Sequence, residues 1–452
     1  MLQQVQKTKA FADFTLGTSY DDMPAEAIAR VQELVLDLLG VGAGSTDLAA
    51  SRIGRETAVR LFNAGPEGQT ARILFDGRTA SVSGAAYAGA NQIDSLDAHD
   101  GYSLAKGHAG CGLLPGVLAF AEKRPDLSAR EFLATMVLGY EIACRAGVAL
   151  HGTVSDYHTS GAWVAVAVAA LGVRLAGGDE NTLRQAIGIA EYHGPRSQMM
   201  REIDNPTMLH DGSGWGAMVG VTAAELALSG FAGAPALTVE RDDAAPYWTD
   251  LGQRWLVLEQ NIKLFPICRW AHAPIEAARQ LREAHGLSAD DVARIEIHGF
   301  HETTRLARDM PETTGKAQYS IDYPVAAMIA FGRIGAREVS GETFRDPDVA
   351  RLVEATEVFE CDECNANFPA DRLGRTVIET RDGRRLDSGI VRAPGEHTEP
   401  IDRAGLVTKF HQLAGPALGD GRARRIEEAV FATAEPGYTL SDLADLVYAP
   451  LA

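Results

Sequence analysis

Cysteine is scarce and odd in number. Cys111, Cys144, Cys268, Cys361 and Cys364 are scattered along 452 residues, which argues against a disulfide framework and fits a reducing compartment. The one C-x-x-C, Cys361-Asp362-Glu363-Cys364, has no second pair, and Asn365 to Arg372 supply no histidine, so no zinc site is expected there. Positive charge is short as well: 42 Lys and Arg face 61 Asp and Glu, for a formal charge of −19 at pH 7. Such a surface repels phosphate backbones and anionic lipid, which speaks against nucleic-acid and membrane partners. It also obliges any pocket for an anionic ligand to gather its own cations.

Long apolar runs are missing too. The longest, Ala162 to Val173, ends at Arg174 and is too short to span a bilayer. The opening MLQQVQKTKAFADF has no apolar core of signal-peptide length, so a cytoplasmic location is the expectation. No repeat, P-loop, dinucleotide fingerprint, G-x-S-x-G elbow or H-E-x-x-H occurs. Neither a metal nor a cofactor is expected, and the chemistry to look for is proton transfer by side chains.

What is present is helix after helix. Ala25 to Leu39 puts Ile28, Val31, Leu34, Val35 and Leu38 on one stripe at spacings of three and four. The pattern recurs in Leu113–Ala121, Ala129–Ala149, Ala162–Ala176 and Trp215–Leu228, with Ala162–Ala176 apolar nearly all round and so expected inside a bundle. After Pro266 the character changes. A helix over Pro274–His285 precedes an alternating strand, Val292–His298, then a helix over Ile321–Gly332. Strands are expected over Val353–Glu360 and Arg375–Thr380, with an Asp382-Gly383 turn leading to a returning strand over Arg385–Val391. Helical patterning resumes from Asp402. The fold expected is mainly α with an inserted α+β domain: a large helical domain over 1–264, completed by 396–452, and a smaller lid domain over 265–395 with the site in the cleft between.

Polar residues gather in three segments. Asp94-Ser95-Leu96-Asp97-Ala98-His99-Asp100-Gly101 runs into Lys106-Gly107-His108-Ala109-Gly110, a loop between two helical patterns. Its acids and histidines suit acid/base work, and equally suit caps and turns. Tyr157-His158-Thr159-Ser160-Gly161 opens the buried Ala/Val helix. Thr159 or Ser160 makes a sound N-cap, while a histidine at that N-terminus is disfavoured from protonating and faces a place suited to a carboxylate. In Lys263-Leu264-Phe265-Pro266-Ile267-Cys268-Arg269-Trp270-Ala271-His272 two cations flank a proline-interrupted apolar strip. Arg201, His210-Asp211-Gly212 and Tyr319-Ser320-Ile321-Asp322-Tyr323 carry weaker signals.

In this order the segments resemble the MmgE/PrpD family, through a D-x-x-D…G-H loop, H-x-[ST]-[SG], K-x-x-P-x-C-x-x-x-H and S-x-x-Y, and the resemblance covers nearly the whole chain. Its members include 2-methylcitrate dehydratase, cis-aconitate decarboxylase and iminodisuccinate epimerase. The resemblance implies a homodimer and a small polycarboxylate substrate, attacked at the carbon next to a carboxylate. It also implies catalytic roles for His158, Asp97, His108, Lys263 and Tyr323, with His158 the leading acid/base candidate. Substrate contacts are expected from Arg269, His272, His99, Arg201 and His210. The sequence departs from the pattern at His99, where an aspartate is usual, at Asn205, where a lysine is usual, and at Arg269-Trp270. Dehydration ranks first, then epimerisation, then decarboxylation. A carboxylate-binding member with a decayed site is the alternative from another class.

Overall fold

The computed structural model describes residues 2–451. From α1 (Leu2–Gly17) the chain runs through α2 (Ala25–Gly44) and α3 (Ala49–Leu61) to a short hairpin of β1 (Thr70–Arg72) and β2 (Thr79–Ser81). There follow α4 (Val82–Asp94), α5 (Gly110–Ala121), α6 (Ala129–Thr153), α7 (Gly161–Leu175), α8 (Glu180–His193), α9 (Met199–Asp204), α10 (Ser213–Leu228) and α11 (Leu237–Glu240). The apolar all-round helix is the hub: every residue of α7 except Arg174 is buried, with α5, α6, α8 and α10 packed about it. Small side chains make that possible. A Cβ on Gly216 of α10 would stand 2.5 Å from the Gly161 carbonyl oxygen of α7, closer than atoms can approach.

Among the described residues α6 is the one helix long and apolar enough by itself to cross a membrane, yet 94% of its most apolar stretch is buried in the fold. Glu141 and Arg145 on it pair at 2.5 Å in the interior. It is a core helix of the bundle.

Beyond α12 (His272–His285) a five-stranded mixed sheet forms. β3 (Val292–Gly299) runs parallel to β4 (Thr356–Glu360) on one side and antiparallel to β5 (Leu373–Thr380) on the other. β6 (Arg385–Asp387) and β7 (Val391–Arg392) share the far edge of β5. The helices of this region are α13 (Thr314–Gln318), α14 (Asp322–Phe331), α15 (Pro347–Glu354) and α16 (Asp362–Asn367). A bulge between Val292 and Arg294 resets the β3 register, so that Val292, Ile295 and Ile297 are all buried despite their uneven spacing.

Two expected strands differ in detail. The segment from Val353 begins as the end of α15, because the Asp346 carboxylate caps the Asp348 and Val349 amides and Pro347 pre-sets the first turn. The returning strand over 385–391 is split at the Asp387-to-Gly389 turn, where Gly389 takes φ +64°, so its halves pair with opposite ends of β5.

The chain returns to the bundle with α17 (Arg403–Leu418), α18 (Asp420–Ala432) and α19 (Leu440–Tyr448), and α17 lies along α2. A buried ion pair fastens it there. Lys409 Nζ donates to Asp37 Oδ1 at 2.6 Å and to the Ala98 carbonyl at 2.7 Å, joining α17, α2 and the loop after α4. Breaking such a pair strands a buried charge. Lys409→Met is therefore expected to cost about 3–5 kcal/mol, read as a drop in the denaturant midpoint, and to loosen the Asp97–Asp100 segment.

Candidate active site

The loop between α4 and α5 folds against the start of α7 and the 261–270 segment, and these surfaces enclose a narrow cavity of ≈ 40 Å³. That is room for about three waters. Two glycines let the loop close. A Cβ on Gly107 would lie 2.5 Å from Ser160 Oγ, and one on Gly110 would lie 2.3 Å from Asp100 Oδ2. Strain collects here as well. Of the four non-glycine residues at positive φ among the described residues, Asp97 (+52°) and Lys106 (+53°) line the cavity and His210 (+48°) precedes Asp211, which lines it too. Left-handed backbone at non-glycine residues is retained mainly where the surroundings hold it, and functional sites are where it clusters.

Lys263 is completely buried, and its Nζ donates to the Asp97 carboxylate and, at 3.1 Å, to the Asp97 carbonyl. Behind this pair His99 Nε2 faces Asp94 Oδ1 at 3.3 Å. Burial works against a charge on His99, but the Asp94 carboxylate outweighs it and the imidazole pKa is raised. The His99 and His108 rings meet edge to face, 4.6 Å between centroids.

His108 is the neutral partner of that pair. Burial, then the positive charges of Lys263 and His99, hold its pKa well below the ordinary histidine value. Its Nδ1 lies 2.5 Å from the Asp100 carbonyl, which can only accept, so Nδ1 carries the hydrogen and Nε2 keeps a lone pair. Nε2 faces Asp211 Oδ2 across 3.5 Å. Burial, with Asp94 and Asp97 close by, pushes the Asp211 carboxyl up to about 6. Ser160 ties the two together: its hydroxyl donates to Asp211 Oδ1 at 2.9 Å and accepts from the His108 amide at 2.9 Å.

The structure brings Asp97, His108, Lys263 and Arg269 to one cavity, and sets His99 directly behind it. His272 stands outside the lining. It is fully buried, with Nε2 donating to the Ile267 carbonyl at 2.9 Å and Nδ1 accepting from Arg269 at 3.2 Å, so it orients Arg269. His158 also lies outside. Its segment bridges Gln198 as extended chain, in which neighbours point to opposite sides; Tyr157 takes the cavity side, and His158 stacks on His151 at 6.3 Å. Tyr323 is buried as the second residue of α14, its hydroxyl donating to the Glu338 carbonyl at 2.5 Å, while Tyr319, four residues earlier, lines the cavity. His210 packs on the Tyr319 ring at 5.8 Å and lines a neighbouring groove. Arg201 and Asn205 are exposed on and just after α9.

Asp211 and Arg372 are the lining residues that motif spacing passes over most completely. Asp211 sits in a segment of weak signal, and Arg372 stands alone just before β5. Among possible metal ligands, Asp94, His99 and Cys111 each place an atom within 4.8 Å of the others. His99 already faces Asp94 there, Cys111 Sγ donates to Ser213 Oγ at 3.1 Å, and burial pushes the thiol pKa well up, away from the thiolate a metal would need.

A profile of the MmgE/PrpD N-terminal domain matches residues 9–247, and one of the MmgE/PrpD C-terminal domain matches residues 265–434. The chain belongs to the MmgE/PrpD family. Curated relatives of this MmgE/PrpD protein include the cis-aconitate decarboxylase-like protein oryM of Aspergillus oryzae, 23% identical over 94% of each chain. A cis-aconitate decarboxylase of Aspergillus terreus is 22% identical over 94% of this chain and 92% of its own. The relatives are lyases by name, which supports an enzyme.

Proposed function

We propose that this MmgE/PrpD protein is a lyase that moves a proton at the carbon next to a carboxylate in a small polycarboxylic acid. The observation that carries the proposal is the neutral His108, its Nε2 free to accept, set beside the buried cation Lys263 in one narrow cavity. Taking a proton from such a carbon builds an aci-carboxylate with two negative charges. Water stabilises it poorly; fixed cations in an enclosed site stabilise it well. Lys263 supplies that positive charge at the reacting end, and Lys106, Arg269 and Arg372 line the rest of the cavity, where the acid's other carboxylates would lie, in a chain whose formal charge is −19.

In the dehydration reading, His108 Nε2 takes the proton and the C–H electron pair moves into the carboxylate. Collapse of the aci-carboxylate forms the double bond and expels hydroxide from the next carbon. The proton held by the His108–Asp211 pair joins the hydroxide, which leaves as water. Decarboxylation is the second reading, favoured by the names of the relatives: carbon dioxide departs, its bonding pair passes through the double bond of the unsaturated acid to the carbon next to a second carboxylate, and the same pair of side chains returns a proton there. Tyr319 and Tyr157 stand by as hydroxyls of the lining. The walls Arg269, Trp270, Tyr319 and Arg372 all come from the 265–395 span, which supports a closing lid there.

Product analysis by proton NMR with citrate, 2-methylcitrate, cis-aconitate, malate and iminodisuccinate tests the proposal; no turnover and no binding of any of them contradicts it. The pH profile then separates the two reactions. Dehydration needs Nε2 free and Asp211 ionised, because a protonated Asp211 donates to Nε2 and blocks it. Its kcat/KM is expected to rise with pH through about 6 and level off. Decarboxylation needs the proton on the pair, and its kcat/KM is expected to fall as pH rises through about 6. Asp211→Asn is expected to remove that limb in either case.

A further inference from the structure

The sheet side of the cavity holds more positive charge than it has partners for. Arg269 and Arg372 are both buried in its lining. One carboxylate, Glu396, serves this corner, and its Oε1 accepts from Arg269 Nη2 at 2.8 Å. Arg372 donates instead to backbone carbonyls, to Pro369 and, at 3.3 Å, to Ser103. Its Nε is shielded from solvent with no partner at all, and among the described residues it forms no ion pair. The Phe368 ring lies 5.3 Å beneath it.

Burial presses against the charge on Arg372, yet a guanidinium keeps its proton under such pressure. The Glu396 carboxylate acts on Arg372 only from a distance; a buried charge without a contacting partner is unfavourable, and the arrangement is understandable where a ligand brings that contact. The planar fork with an unused Nε fits a carboxylate by two parallel hydrogen bonds. Position decides which carboxylate. Lys263 and Asp97 stand with His108 on the helical side, at the reacting end. Arg372 enters from the start of β5, and Arg269 beside it is already neutralised by Glu396.

We propose that Arg372 anchors a carboxylate remote from the reacting carbon, and so makes the enzyme prefer tricarboxylates to dicarboxylates of otherwise similar shape. This deepens the polycarboxylate proposal above and rests on it. Arg372 is in this role a specificity residue: the chemistry at His108 proceeds without it, with a poorly held substrate.

The test compares the full-length protein with its Arg372→Gln and Arg372→Lys variants on matched acids, cis-aconitate against citraconate and citrate against citramalate. The wild type is expected to favour the tricarboxylate of the productive pair by about 10- to 100-fold in kcat/KM. Arg372→Gln is expected to collapse that ratio, mainly by raising the tricarboxylate KM, while the dicarboxylate loses far less. Its melting temperature without ligand is expected to stay level or rise, because a buried charge with no contacting ion-pair partner has gone. Arg372→Lys, which keeps the charge and loses the fork, is expected to fall between, and it decides the matter if the glutamine variant does not fold. An unchanged ratio in a folded variant overturns the proposal. Equal losses on both classes of acid, or a lowered melting temperature with unchanged KM, also overturn it, because both mark a structural role. If the wild type neither binds nor converts any polycarboxylate, the functional proposal fails first and this one with it.

Discussion

His108→Asn is expected to lower turnover by about 10²–10⁴-fold, the usual worth of a positioned acid/base group, while leaving the fold and substrate binding in place. Asparagine keeps a side-chain amide near the Asp100 carbonyl, so the hydrogen bond that orients residue 108 has a replacement. What asparagine lacks is the Nε2 lone pair facing Asp211. The loss should therefore appear in kcat with KM little changed, because the proton transfer is made in the transition state and the carboxylate contacts are made throughout. A matched His158→Ala variant is expected to stay within about tenfold of the wild type, far from the loss a direct acid/base group shows, since His158 stands on the far side of its extended segment. Steady-state kinetics on the two variants separates them. A His158 effect as large as that of His108 would move the proton-transfer role to the α7 entrance.

Lys263→Met is expected to damage both stability and activity, for one reason. The Asp97 carboxylate beneath it is buried at a left-handed φ and takes its charge-assisted hydrogen bond from Lys263. Removing the lysine leaves that carboxylate without a counter-charge, at a cost of about 3–5 kcal/mol. Activity also falls, because the cation nearest the reacting end is gone. The double variant Lys263→Met with Asp97→Asn separates the two effects. With no charge left to strand, its melting temperature should recover most of the way, while its activity should stay as low as that of the single variant. Recovery of activity along with stability would make the pair a structural tie and nothing more.

The helical half of the fold was legible because its periodicity is strong: α2, α5, α6, α7 and α10 fall within a few residues of the stripes that mark them. α3 and α8 are less continuous in apolar residues and carry no such stripe, and neither do the three-residue strands of the β1–β2 hairpin; α4 is marked only by its end at the Asp94 loop. Within the site, Asp97, His108, Lys263 and Arg269 could be named from local motifs, since a loop of glycines and charged residues advertises itself. The side of the chain that faces the cavity could not. Tyr157 rather than its neighbour His158, and Tyr319 rather than Tyr323, line the wall because extended pairing with Gln198 and the start of α14 turn them inward. Arg372 has no local signature at all. It belongs to the site only because β5 lies beside β3 and delivers its first residues to the loop carrying Ser103.

The most direct test of proton transfer by His108 is solvent deuterium incorporation, followed by proton NMR on cis-aconitate in D₂O, because both its hydration (the dehydration run backwards) and its decarboxylation return a solvent proton to carbon. The wild type is expected to place deuterium on a carbon adjacent to a carboxylate, and His108→Asn, still folded and still binding the acid, is expected to place none on the same timescale. Product formation by the wild type without deuterium at that carbon, or undiminished incorporation by the variant, would contradict the account.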